Sequence, residues 1–250
     1  MTIEVTRRGL VAGASGLLLA GCDKINGSAS VQKLLGLGER ATYSAQRLVS
    51  DRTALAPEFS LAQMSPLFRV NGNDMPASDD YAAHLASRFA DWRLVVDGLV
   101  ARPLSLSLDQ LRAAPRRTQI TRHDCVEGWS AIGQWTGTPL RLLLQQAGIR
   151  SSARYVVFHC ADDFDGTPYY ESVDLVDAFH PQSILAWGMN GQPLSVPHGA
   201  PLRLRAERQL GYKQAKYVMR VEAVNSLAHL YGGKGGYWED NAGYQWYAGI

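Results

Sequence analysis

Between residues 92 and 223 the chain is cut into short extended-prone runs by Gly and Pro, and this constrains the fold more than any other feature. Residues 92–100 alternate apolar and polar side chains and turn at Asp97-Gly98, a hairpin signal. Residues 103–108 continue as a strand, and 108–111 read as a helix start that Pro115 ends. Residues 117–122 form a strand leading to Cys125. Residues 139–148 open on Pro and close on Gly, as a helix should. Residues 154–160 are rich in β-branched and aromatic side chains and read as a buried strand. Residues 68–72, 169–173, 183–189, 201–205 and 215–223 supply further strands. The pattern predicts an α+β fold with mixed β-sheets and a few short helices.

The 250 residues are 46% hydrophobic and 19% charged, enough for one domain with a sizeable core. A net charge of +2 does not point to nucleic acid. Arg7-Arg8, the uncharged stretch 9–21 and Leu19-Ala20-Gly21-Cys22 read as a twin-arginine export signal ending in a lipobox. The stretch is too short to span a bilayer as a helix. These features predict a signal peptide over 1–21, lipidation at Cys22, a tether and lead-in segment over 22–59, and the main folded domain over 60–250. A short helix is expected within the lead-in. Export would place the protein on the periplasmic face of a bacterial membrane.

One cysteine stands apart. Cys125 lies within Arg122-His123-Asp124-Cys125-Val126-Glu127-Gly128-Trp129, and Trp135-Thr136-Gly137-Thr138-Pro139 follows. A thiolate is a soft ligand suited to a redox metal, and it must be deprotonated to bind. His123 and Arg122 are the cations expected to help. Cys125 and Cys160 are too few for a zinc site. Asp162-Asp163-Phe164-Asp165-Gly166 lacks the twelve-residue loop of a calcium site and reads as a polar loop at the rim of an active site. No local sequence supports Cys125 as a protease-like nucleophile. A disulfide between Cys125 and Cys160 is not expected.

The stretch around Cys125 resembles the cofactor-binding signature of the sulfite-oxidase-like molybdopterin enzymes. Two further segments fit the same family in order and spacing: Met189-Asn190-Gly191-Gln192-Pro193-Leu194 with Pro197-His198-Gly199-Ala200-Pro201-Leu202-Arg203, and Gly211-Tyr212-Lys213-Gln214-Ala215-Lys216. The resemblance implies a sulfite oxidase molybdopterin-binding fold and a molybdenum–molybdopterin cofactor with Cys125 as metal ligand. It also implies that Ser65, Phe68, Arg69, His123, Cys160, His198, Arg203, Gly211, Tyr212 and Lys213 contact the cofactor. Phosphate recognition needs cations and backbone N–H groups, so Arg203 is expected to clamp it and Lys213 to serve as a point charge. Gly211 would permit close backbone approach. Ser65, His198 and Cys160 depart from the periplasmic methionine-sulfoxide reductase branch, which usually has Asn, Asn and Thr there.

The expected activity is oxygen-atom transfer at a Cys-ligated molybdenum on a small sulfur-type substrate, in the manner of sulfite oxidation. The alternative is reduction of oxidised sulfur compounds such as methionine sulfoxide. An alternative of another class is a non-catalytic, membrane-anchored binding subunit. Arg122 is expected to orient an anionic substrate, and Tyr169 or Tyr170 to donate a hydrogen bond at the metal. The 27 residues after Ala223 are expected to fold back onto the core. Electrons would pass to or from an external carrier, a cytochrome or a membrane haem or quinol protein, with the chain a monomer.

Overall fold

The computed structural model describes residues 28–49 and 51–250. The export signal and Cys22 lie outside the described residues. Two compact units are present, Met1–Arg52 and Thr53–Ile250. In the first, the helix expected to be short is α1 (Ala29–Val49), 21 residues long, with Leu34, Leu37 and Leu48 exposed. Among the described residues no helix is long and apolar enough to cross a membrane.

The second unit begins at Thr53, and the stretch before residue 60 is tied to it by hydrogen bonds. Ala56 N donates to Gln182 Oε1 at 2.7 Å, and Phe59 N donates to the Ile120 carbonyl at 2.8 Å. Its strands are β1 (Arg93–Gly98), β2 (Leu104–Ser107), β3 (Arg117–Cys125), β4 (Trp129–Pro139), β5 (Tyr155–Phe164), β6 (Thr167–Asp174), β7 (Ile184–Met189), β8 (Gln192–Pro193), β9 (Arg203–Arg205) and β10 (Val218–Val224). Its helices are α2 (Asp79–Ala86), α3 (Leu108–Ala113), α4 (Leu140–Ala147), α5 (Leu175–Ala178) and α6 (Tyr237–Ala242).

One sheet runs β2-β1-β10-β5-β6, with β1 and β10 parallel and the other pairs antiparallel. The second runs β3-β4-β7-β8, with β9 on β7. The mixed sheets and short helices agree with the sequence. Leu94 and Val96 of β1, Val156 and Phe158 of β5, Leu140, Leu143 and Leu144 of α4, and Leu204 of β9 share one buried core. Each such side chain contributes about 1.5–3 kcal/mol on burial. Ser107 starts α3 with a capping box to Gln110, and Gly148 ends α4 in the left-handed region at φ 68°.

Three elements depart from the sequence reading. Residues 68–72 form no strand; the Phe68 carbonyl instead accepts from His198 Nε2 at 3.3 Å. Gly137-Thr138-Pro139, a tripeptide whose composition suggests a turn, belongs to the eleven-residue β4. Its Gly137 serves close packing, since a Cβ there would sit 2.3 Å from the Leu185 carbonyl oxygen of β7. Asp162 and Asp163 extend β5, and only Asp165-Gly166, at φ 52° and 78°, make the turn to β6.

The C-terminal segment folds back as expected. Leu210 N donates to the Ala248 carbonyl, Tyr212 Oη to that of Gln245, and Trp246 Nε1 to Ser172 Oγ.

Candidate active site

The β3–β4 hairpin sets the site. Strand alternation sends His123 and Cys125 to one face and Arg122 and Asp124 to the other. The hairpin closes over residues 125–128, where Gly128 N donates to the Cys125 carbonyl at 3.1 Å and Gly128 adopts φ 86°. This geometry explains the glycine of the motif and pairs Cys125 with Trp129. Trp129 Nε1 donates to Glu127 Oε2 at 3.0 Å, and its ring packs on Phe68 and His123.

Cys125 lines a cleft of about 180 Å³ together with Glu127, Asp162, Gly211, Gln214 and Lys216. Phe164, Tyr169, Tyr212, Trp238 and Tyr244 give it an aromatic wall. Burial pushes the Cys125 thiol up, and the Glu127 carboxylate adds to this. The backbone N–H groups of Glu127 and Val126, and the Arg203 guanidinium, pull it back down. Cys160 is a second free thiol, raised far more by burial, with Sγ 3.9 Å from the Phe158 carbonyl.

The two cations expected beside Cys125 are not there. Arg122 Nε is bound to Asp124 Oδ2 at 2.9 Å on the opposite face, above a separate cavity lined by Phe59, Glu207 and Arg208. It cannot orient a substrate at Cys125. His123 is buried and neutral, because desolvation and then the nearby Arg205 and Arg203 depress its pKa well below the usual imidazole value. Arg205 Nη1 donates to His123 Nδ1 at 2.9 Å, while Glu207 holds Arg205 through both carboxylate oxygens.

Arg203 supplies the charge instead. It is fully buried, donates to the carbonyls of His198 (3.0 Å) and Gln214 (3.2 Å), and lies 4.9 Å above the Trp135 ring. Neither hydrogen bond goes to a carboxylate, and its Nε has no partner. Burial, with Arg205 nearby, pushes its pKa down to about 9. Lys216 is also buried on the cleft wall, donating to the carbonyls of Asn73 and Pro197. Desolvation and Arg203 lower it to about 8. Gly199 packs against Lys216, where a Cβ would come within 2.9 Å of the Lys216 Cβ. His198 donates from Nε2 to Phe68, so its Nδ1 accepts from Ser195 Oγ at 2.9 Å.

The other expected contacts divide. Gly211 lies against the His123 ring, with room for no Cβ, and Tyr212 lines the cleft. Phe68 packs edge-on against Trp135 and His198. Ser65 Oγ accepts from Ile132 N at 2.9 Å, which docks its segment on β4. Arg69 is exposed. Tyr169 lines the cleft, but its hydroxyl donates to the Tyr212 carbonyl at 2.7 Å; Tyr170 turns away to Asp240. Lys213 does not sit as a phosphate-facing charge, because its ammonium is buried between Glu171 and Glu239. Lys216 is the lysine on the cleft wall.

The sequence reading passed over Asp162, Gln214 and Lys216 as site residues. Asp162 is 4% exposed, and burial raises its carboxyl to about 7 despite Lys216 and Asn73. The β-strand alternation of β5, extended two residues, would have turned Asp162 inward. Gln214 and Lys216 stand at one and three residues from Lys213, and only the bend of the segment after Gly211 decides which of them faces the cleft.

Several buried polar atoms around this cleft have no hydrogen-bond partner: His123 Nε2, Arg203 Nε, Gln214 Oε1 and Asp162 Oδ1. An uncompensated buried guanidinium costs several kcal/mol. Donors, acceptors and positive charge beside a soft thiol fit an anionic heterocycle that brings its own metal. Among the described residues no group of three or more His, Cys, Asp and Glu could hold a metal ion. The described residues alone would not complete a metal's ligand set at Cys125.

Comparison with known proteins agrees. A family model described as the oxidoreductase molybdopterin binding domain matches residues 82–230. The putative protein-methionine-sulfoxide reductase subunit YedZ1 of Azospira oryzae is 39% identical over 232 residues, 93% of this chain and 82% of that protein. The protein-methionine-sulfoxide reductase catalytic subunit MsrP of Xanthomonas campestris pv. campestris is 34% identical over 161 residues, 60% of this chain and 50% of its own length. The chain thus spans about half of that relative. Among solved structures, the sulfane dehydrogenase SoxCD from Paracoccus pantotrophus matches with a TM-score of 0.50 and 25% sequence identity, over 54% of this chain and 39% of that one.

Proposed function

This chain belongs to the oxidoreductase molybdopterin-binding domain family and is a molybdopterin-dependent enzyme, and on that premise we propose that it reduces an uncharged sulfoxide, such as methionine sulfoxide. The observation that carries the reading is the lining of the cleft. Glu127 and Asp162 stand beside Cys125, Phe164, Tyr169, Tyr212, Trp238 and Tyr244 form an aromatic part of the wall, and Arg122 faces away. Lys216 is engaged by two carbonyls and Arg203 is fully buried. An anion such as sulfite would meet the Glu127 carboxylate beside Cys125, whereas a neutral S–O group with alkyl substituents suits aromatic faces. The names of the relatives support the same direction. This reverses the order in which the sequence alone ranks the two reactions.

Bound in the cleft, the molybdenum–molybdopterin group supplies exchange of an oxygen atom and two electrons with the substrate. The Cys125 thiolate is its protein ligand. Arg203 and Lys216 compensate its negative charge, His123 Nε2–H and Gln214 Oε1 offer a donor and an acceptor, and Asp162 accepts from heterocycle N–H groups. Trp238, Tyr244 and Phe164 exclude water on the substrate side.

Export by the twin-arginine route and a lipid at Cys22 complete the proposal, placing the enzyme on the periplasmic face of the membrane. They rest on the first 22 residues of the sequence. The electron donor would be a separate haem or quinol protein or a cytochrome, in keeping with relatives named as subunits. The test uses protein purified with its cofactor. With a reduced dye as donor it should turn over methionine sulfoxide; sulfite oxidation without sulfoxide reduction would refute the reading.

A further inference from the structure

The C-terminal segment builds one wall of the cleft. Trp238 of α6 and Tyr244 just after it line the cleft, their rings stacked 5.8 Å apart, and Phe164 packs on Trp238 at 5.3 Å. A buried ion cluster ties this segment down. Lys213 Nζ lies 2.5 Å from Glu171 Oε2 on β6 and 2.5 Å from Glu239 Oε1 on α6, and all three side chains are buried. The second oxygens, Glu171 Oε1 and Glu239 Oε2, have no partner. Gly236, at the start of α6, leaves no space for a side chain, since a Cβ would come within 2.0 Å of Glu239 Oε2 and 2.6 Å of Glu171 Oε2. Two carboxylates therefore converge on one ammonium in a dry site. Two negative charges against one positive are disfavoured there, and burial with the second carboxylate close by raises Glu171 towards its protonated form.

We propose that Glu171, Lys213 and Glu239 form a proton-holding latch that fixes the Trp238–Tyr244 wall, with Glu239 as a positioning residue for the substrate side of the cleft. The inference rests on the reading that this cleft takes the substrate. The groups facing the cluster are the Tyr169, Tyr170 and Tyr212 hydroxyls and the Cys160 thiol, all raised above their ordinary values chiefly by burial and so uncharged, and the Trp246 ring 5.8 Å from Lys213. Asp240 is hydrogen-bonded by Tyr170. Burial alone would lower Lys213, but Glu171 and Glu239 outweigh it and keep it charged. Burial lifts Glu171 well above the usual carboxylate range, with Lys213 opposing and the Glu239 carboxylate adding to the rise. A raised carboxyl stabilises the closed form at low pH, and that contribution is lost as pH climbs through the folded value. The wall should loosen on the alkaline side.

Hydrogen exchange over residues 236–247 of the cofactor-loaded protein, corrected for intrinsic rate, tests this between about pH 5 and pH 9. Wild type should lose protection as pH rises, and KM for the sulfoxide should rise in parallel while kcat changes little. Glu239→Gln keeps a hydrogen bond to Lys213 but removes the second charge, so both responses should become flat. Glu239→Ala should exchange about tenfold faster at every pH. Glu171→Gln approaches the same cluster from β6 and should flatten the response as Glu239→Gln does. Flat wild-type protection, or a wild-type response in both Gln variants, overturns the latch. The exchange readout needs no substrate, so a protein that reduces no sulfoxide yet loosens with pH refutes the assigned reaction and leaves the latch standing.

Discussion

Arg205 Nη1 stands 2.9 Å from Nδ1 of His123, and this contact decides which imidazole nitrogen carries the proton. A guanidinium only donates, so Nδ1 accepts and Nε2 bears the hydrogen. That hydrogen lies in the buried interior, facing the Gln214 side chain and packed beside Gly211. A cofactor acceptor at this point would complete a network that runs from Gln119 through Glu207 and Arg205 to His123.

Glu207 anchors that network. It holds Arg205 at 2.5 and 2.9 Å and accepts from Gln119 Nε2 at 2.8 Å, all out of contact with water. Glu207→Gln leaves the guanidinium buried without a counter-charge. Removing one partner of a buried pair costs about 3–5 kcal/mol, and urea unfolding of the cofactor-free protein should show a loss of that order.

Arg203 should behave in the opposite way. It is a buried cation held by carbonyls alone, so Arg203→Met should raise the stability of cofactor-free protein by about 1–4 kcal/mol. The same variant should retain less molybdenum after purification. Thermal midpoints without cofactor and metal content with it check the two halves of this crossover. A lower midpoint for the cofactor-free variant would contradict it.

Much of this was legible in the sequence, and the failures have physical causes. Cys125 could be singled out because a lone cysteine stands there among charged residues, and it lines the cleft. The Pro-to-Gly boundaries of α4 follow from local backbone chemistry and were found in place. Strand β4 was missed because Gly137 was read as a turn, whereas it serves the close approach of β7, a long-range fact. Arg122 was assigned by nearness along the chain to Cys125, but an odd separation on a strand places two side chains on opposite faces. Lys213 and Lys216 look equivalent in sequence. Glu171 and Glu239, both distant along the chain, determine which of them is already neutralised.

Asp162 predicts a pH dependence. Its carboxyl is raised to about 7 by burial, so its contribution to stability is complete below the ordinary carboxylate pKa and is lost as pH rises towards 7. At about 1.4 kcal/mol per unit the loss is roughly 4–5 kcal/mol. Lys216, lowered to about 8, acts in a separate window, since the native state gains as pH rises above that value. Cofactor-free protein should therefore be least stable between the two. Asp162→Asn should remove the acid-side slope and keep the alkaline one, as followed by unfolding midpoints across pH.

Arg122→Met should leave kcat and KM for the sulfoxide within about twofold of wild type. The side chain is more than half exposed and bound to Asp124, so only a surface pair worth about 0–1 kcal/mol is lost. A tenfold fall in kcat/KM would return Arg122 to the active site and weaken the case against an anionic substrate.

Gly211→Ala tests the close approach on which the cofactor pocket depends. A Cβ at this position would lie 2.6 Å from His123 Nε2 and 2.8 Å from Cε1. The ring cannot swing aside freely, because Arg205 holds Nδ1 from behind and Phe68 and Trp129 pack beside it. The strain must pass into the backbone of the segment that carries Tyr212 and Lys213, at a cost of about 1–3 kcal/mol. Cofactor content should fall more steeply than stability, since the displaced segment borders the cleft while the core of the sheets is untouched. Metal analysis of the purified variant beside its urea midpoint measures both; full cofactor occupancy in Gly211→Ala would show that the contact between Gly211 and His123 does not shape the pocket.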